Sequence, residues 1–185
     1  MIQLPVIPPW AGLHPLIVQF PIALLLITPM LVIVGALLRP ERGRIILYTA
    51  LGLMLIGTLG TFLAAATGEA AGKLAERTPQ IDAVLERHEE LADATRAVFS
   101  GLTLIFGAIV FAPKVFRRLP GSLVTTVLPL LFLLLYGAGM LLLANTAHNG
   151  GRLVHEFGVR AMIGHSAGPL TGDAAVPNPQ TSDRD

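Results

Sequence analysis

The five histidines, His14, His88, His148, His155 and His165, are the residues of this apolar sequence best suited to chemistry. A neutral imidazole ligates transition metals through either ring nitrogen. Two imidazoles brought from separate helices to an apolar slot provide the axial ligands of a b-type haem. They equally suit copper or zinc when a carboxylate such as Glu69 or Glu156 joins them. His88 sits on a stripe of Ile81, Leu85, Ala92, Thr95 and Phe99 at spacings of three and four, which directs it toward the inside of a bundle. His14 precedes Pro15, a favoured first helical residue, and so takes the N-cap position. Asn145 and His148, three apart, form a polar patch at the end of another apolar run. The candidate cofactor-binding residues are therefore His14, His88, His148 and His155, with His14 and His88 the candidate metal ligands; His165 has no assigned role. No local metal motif such as HExxH is present, and no Ser or Thr stands beside a His on one element. A catalytic nucleophile has no base, which favours a carrier or anchor over an enzyme.

The elements that must position these side chains are membrane helices. With 53% hydrophobic residues, 14% charged residues and a mean hydropathy of +0.68, the chain is too apolar for a water-soluble globule. Apolar runs from about Pro15 to Leu38, Ile45 to Ala66, Ala97 to Ala112 and Ser122 to Ala147 approach or exceed the length that spans a bilayer. The second has a small-residue extension to Gly72. The third is short, but the helical pattern from Ile81 to Arg96 lengthens it to His88, and the fourth stops at Asn149-Gly150-Gly151. In lipid the backbone must satisfy itself, so the runs are helices. The expected fold is all-α, a bundle of four transmembrane helices over 1–165 with a helical extension before the third span. Residues 166–185, rich in Gly, Pro, Ser and Asp, form a disordered tail.

Orientation follows from the basic residues. The two short loops hold Arg39, Arg42 and Arg44, then Lys114, Arg117 and Arg118, six of the thirteen Lys and Arg in the chain. Cytoplasmic loops keep such an excess, so both termini are expected outside, in the periplasm of a bacterium whose inner membrane holds the chain. The outer segment from Glu69 to Arg96 carries seven acidic and four basic residues, a net of minus three. With no cysteine, thiolate sites, disulfides and covalent c-type haem are excluded, and a net charge of +1 without basic patches excludes nucleic acid as a partner.

Small residues four apart in the second span, Gly57/Thr61, Gly60/Ala64 and Ala64/Gly68, allow close helix packing or room for a flat cofactor. Pro21 and Pro129 each remove a backbone donor, so each predicts a kink or a neighbouring polar group. Tyr136 and Gln19 are expected to be buried against partners, and Trp10 and Tyr48 to anchor the interfaces. No internal repeat is evident.

The set formed by Leu13-His14-Pro15, Phe20-Pro21-Ile22-Ala23-Leu24, Thr67-Gly68, His88 and Gly150-Gly151-Arg152-Leu153-Val154 resembles a bacterial four-helix membrane family known as domain of unknown function 2231. The resemblance covers Leu13 to Val159. Family members typically show LHP, then HFP, a His on the third helix and a closing GGxLVxxHGV. Here Gln19 replaces the HFP histidine and Phe157 the closing one, with His155 two residues earlier, so His14 and His88 alone stay in register. Such domains often accompany periplasmic dehydrogenase and cytochrome c modules. The resemblance therefore implies an electron-transfer or anchoring subunit with a periplasmic redox protein or dehydrogenase subunit as partner.

Three functions are compatible with these residues. The first is a membrane subunit of an electron-transfer system that binds b-type haem near the periplasmic face through His14 and His88. The second is a cofactor-free anchor or assembly subunit of a larger complex. The third, a metal or small-solute transporter, would need charges along a path, and the first and fourth spans contain none.

Overall fold

A computed structural model describes residues 7–115 and 122–159; the expected tail, His165, Arg117 and Arg118 lie outside them. Every regular element among the described residues is helical. A 3-10 turn at Trp10–Leu13 leads into α1 (His14–Ile17) and α2 (Gln19–Leu37), followed by α3 (Pro40–Gly72) and α4 (Pro79–Val115). A π-helical turn at Leu123–Val127 then leads into α5 (Leu128–His155). Four stretches, Trp10–Leu37, Pro40–Gly72, Pro79–Ala112 and Leu123–His155, are long and apolar enough to cross a membrane. Many of their large apolar side chains are exposed, Phe20, Met30, Leu104 and Leu134 among them, as a lipid-facing surface requires.

The element boundaries have local causes. Pro21 has no N–H to offer Ile17, and the helix is interrupted at Val18 between α1 and α2. Pro129 lies just after the π-helical turn, where the Leu128 N–H donates five residues back to Leu123. Both prolines thus distort their spans as the sequence predicts. Pro29 lies inside α2 without ending it. The polar extension before the third span is continuous with it. Thr78 accepts from the Ile81 N–H at 3.3 Å and Pro79 opens α4, which runs well beyond His88.

The expected stop at Asn149-Gly150-Gly151 does not occur, and α5 continues to His155. Asn149 Nδ2 donates to the Asn145 carbonyl within the helix, and Arg152 pairs with Glu156 at 2.9 Å. The chain turns only at Gly158, whose φ of 66° is open to glycine. Phe157 and Val159 then fold back on a small cluster of Ile81, Val84, Leu85 and Leu153.

The helices form two neighbouring hairpins, α2 with α3 and α4 with α5, joined through α3 and α4. Their shared core holds Leu25, Met54, Phe99, Phe106, Phe132 and Tyr136, all nearly inaccessible. Phe106 stacks on Phe132 at 4.8 Å between centroids, and Phe99 meets Tyr136 edge-on at 5.6 Å. Threonines tie the helices where lipid provides no hydrophobic drive: Thr58 to Thr103 and Thr95 to Thr146, each at 2.8 Å. Tyr136 is buried with its hydroxyl bonded, as expected. Gln19, expected to be buried against a partner, is exposed, because the turn at Val18 leaves it on the outer face of α2.

Candidate functional site

A cavity of about 490 Å³ opens between the helices at the end of the bundle that carries both described termini. Its wall draws on α1 to α5 and includes Val18, Ile22, Thr61, Leu85, Ala92 and Leu143. About 20 residues cross the hydrocarbon core. Counted from Ile45 along α3 that length ends near Ala64, and counted back from Ala112 along α4 it ends near Asp93. The cavity therefore straddles the boundary between lipid and water, with an apolar floor and a rim carrying Glu69, Glu89 and Asp93.

His14 and His88 both line this cavity. His14, expected at the N-cap, is instead the first residue of α1 with Leu13 at the N-cap, and its side chain crosses to α3. His14 Nδ1–H donates to the Ala64 carbonyl at 2.9 Å, with Thr67 Oγ1 at 3.3 Å. His88 Nδ1–H donates to the Thr146 carbonyl on α5, also at 2.9 Å. Each acceptor is a carbonyl in mid-helix, where one lone pair serves the helical bond and a second remains free. In a helix, side chains lean toward the N-terminus, so the residue four positions on screens that second lone pair. At both sites that residue is glycine. A β-carbon on Gly68 would lie 2.9 Å from His14 Cε1, and one on Gly150 would lie 3.0 Å from His88 Cε1.

The two halves of the bundle thus repeat one arrangement, a histidine on the first span of each half seated on a glycine of the second. The carbonyl acceptors fix the tautomer, because a carbonyl accepts only from an N–H. In the neutral ring Nε2 then carries the lone pair. Among the described residues neither Nε2 has a hydrogen-bond partner, and neither is sealed from solvent.

The other candidates lie elsewhere. His148 and His155 are exposed and do not line the cavity, and Asn145 donates to its own helix at the Leu141 carbonyl. Glu69 pairs with Lys73 at 2.8 Å, which holds the Lys73 ammonium above its ordinary range, and Glu156 pairs with Arg152. Among the described residues no three His, Asp or Glu side chains are grouped to share a metal ion. Arg96 lines the cavity too, with its guanidinium beside Asp93 and 5.6 Å from the centre of the Phe62 ring. Sequence reasoning counted Arg96 only as a surface charge, and read Gly68 as a packing residue, as room for a flat cofactor and as part of the family resemblance, not as the seat of a histidine. The signal that marks the two glycines is their place four residues beyond a carbonyl facing a histidine.

A family model described as "Predicted membrane protein (DUF2231)" matches residues 11–162, from the turn before His14 to just past the end of α5. The chain belongs to this DUF2231 family. The four apolar helices are those of a membrane protein, as the family's description states. No curated protein and no solved structure matches the chain. Gln19 and Phe157, the positions at which the sequence resemblance implies histidines, do not line the cavity.

Proposed function

We propose that this protein is a membrane subunit of an electron-transfer system and that it binds a b-type haem in the cavity, with His14 and His88 as axial ligands. The observation that carries the reading is the orienting bond shared by both rings. Metal-ligating histidines characteristically donate their second ring N–H to a carbonyl or carboxylate, which fixes the ring and raises the basicity of the ligating nitrogen. Both Nδ1–H groups are engaged in this way, and both rings line one largely apolar cavity. The cavity falls in the size range of sites that take a cofactor or drug-sized ligand, about 300 to 1,000 Å³. Among the described residues the two imidazoles have no third His, Asp or Glu grouped with them, an arrangement that suits a group bringing its own metal-ligating nitrogens better than a bare ion.

A haem held by His14 and His88 would supply one-electron transfer between a periplasmic redox partner and the membrane. The protein holds it at the membrane boundary and limits water around it. The arginine-rich loops support placing the cavity at the periplasmic face of a bacterial inner membrane, within reach of a periplasmic redox protein or dehydrogenase subunit.

A reduced-minus-oxidised visible spectrum of protein purified in mild detergent, with an iron assay on the same sample, tests the reading. Sharp b-type bands with iron support it. A featureless spectrum that stays unchanged after added hemin overturns it.

The second reading is a cofactor-free anchor or assembly subunit. It is favoured by the same two bonds seen as ties, since each joins two helices without any further group. It predicts a colourless protein whose stability falls when it is separated from its complex.

A further inference from the structure

Among the described residues Arg96 is the one Lys or Arg that lines the cavity, and nothing described so far explains it. Its Nε is covered by protein, whereas its Nη1 has no acceptor among the described residues and is not sealed from solvent. The rest of the guanidinium is anchored: one terminal nitrogen donates to Asp93, and the plane lies near Phe62. The side chain therefore reaches back along α4 toward the cavity mouth. This is the direction in which helical side chains lean and in which a charge near lipid reaches water.

Arg96 lies eight residues from His88 on the same helix, roughly 12 Å along the axis, and both line the cavity. A single ligand in the cavity can therefore face the imidazoles with its metal centre and the guanidinium with an acidic arm. The remaining carboxylates near the cavity do not compete strongly for Arg96. Glu69 is paired with Lys73, and Glu89 is exposed at the rim.

We infer that Arg96 is the anion-receiving end of this cavity, its Nη1 donating to a carboxylate of the bound group, which for a b-type haem is a propionate. The inference rests on the haem reading for the identity of the ligand. An arginine that donates to one protein carboxylate from one terminal nitrogen can donate to a second carboxylate from the other, and such charge-assisted bonds are short and strong.

The test adds hemin and, separately, its dimethyl ester to the purified full-length protein in detergent, and records affinity and visible spectrum. Both probes carry the same iron and ring; only hemin carries free carboxylates. The wild type is expected to give a low-spin, two-imidazole spectrum with both and to bind hemin roughly tenfold or more tightly than the ester. Arg96→Gln is expected to lose that preference while keeping the low-spin spectrum.

Equal affinity of the wild type for both probes, with a two-imidazole spectrum, overturns the role of Arg96 and leaves the haem reading standing. No low-spin spectrum with either probe overturns the haem reading, and the propionate assignment falls with it. The acid-to-ester comparison is made on the wild type, so it decides the matter even where Arg96→Gln fails to fold.

Discussion

The imidazole of His88 lies on Gly150 so closely that a β-carbon there would be 3.0 Å from its Cε1, and its Nδ1–H reaches the carbonyl of Thr146 four residues earlier. The ring depends on the missing side chain. Gly150→Ala and Gly68→Ala should each push an imidazole off its carbonyl. The expected loss is about 1 to 3 kcal/mol from overpacking, partly offset by the roughly 1 kcal/mol by which alanine exceeds glycine in helix propensity. Gly52→Ala and Gly137→Ala are the controls, because a β-carbon at either meets nothing within 4 Å and only the propensity gain remains. Reversible unfolding in mixed micelles measures all four. Equal effects at the four positions would show that the rings are not seated as described.

The four spans were legible in the sequence because lipid imposes one rule, long apolar helices with their own hydrogen bonds, and composition alone reports it. The inward face of His88 was legible for a related reason: the Ile81, Leu85, Ala92, Phe99 stripe has helical period and ends up buried or half-buried. The seat of each ring was not legible. Ala64 and Thr146 are separated from their histidines by 50 and 58 positions, and a carbonyl acceptor leaves no trace in residue type. The glycines that expose those carbonyls look like any other small residues on a packed helix.

His14 and His88 should matter unequally for cofactor and for fold. His88→Ala removes one cross-helix bond, worth about 0.5 to 1.5 kcal/mol, and leaves a Thr146 carbonyl that still has its helical partner. Insertion into the membrane should survive while bound haem is lost, and the same holds for His14→Ala. Haem content per folded protein, measured after size-exclusion chromatography, checks this. Full retention of cofactor in either variant would remove that residue as a ligand, whereas His148→Ala and His155→Ala are expected to retain it, since neither side chain lines the cavity.

At the opposite end of the bundle, Gly43 of α3 lies directly against the backbone of Gly35 in α2, and a β-carbon on Gly43 would overlap the Gly35 carbonyl oxygen. Backbone cannot step aside as a flexible side chain can. Gly43→Ala should therefore force the first hairpin apart near its loop and destabilise the protein by several kcal/mol, more than either histidine-seat variant. The check is the same unfolding assay. A Gly43→Ala protein as stable as the wild type would contradict the close approach.

Tyr136 and Pro29 form the last testable pair, and they explain why a tyrosine occupies the middle of the fourth span. In an unbroken helix the Leu25 carbonyl would accept the N–H of residue 29, but Pro29 has none, so that carbonyl is left without its helical partner inside a sealed core. The Tyr136 hydroxyl donates to it at 2.6 Å from α5, across 111 positions of sequence. Tyr136→Phe should therefore cost about 1 to 3 kcal/mol, the penalty of an unsatisfied buried acceptor, and not merely the smaller net value of one hydrogen bond. Pro29→Ala restores the N–H, so the same Tyr136→Phe change in a Pro29→Ala background should cost clearly less. A double-mutant cycle reads the difference directly. Additive losses would mean that the hydroxyl acts through packing alone, and coupling of about 1 kcal/mol or more would establish that the tyrosine compensates for the proline.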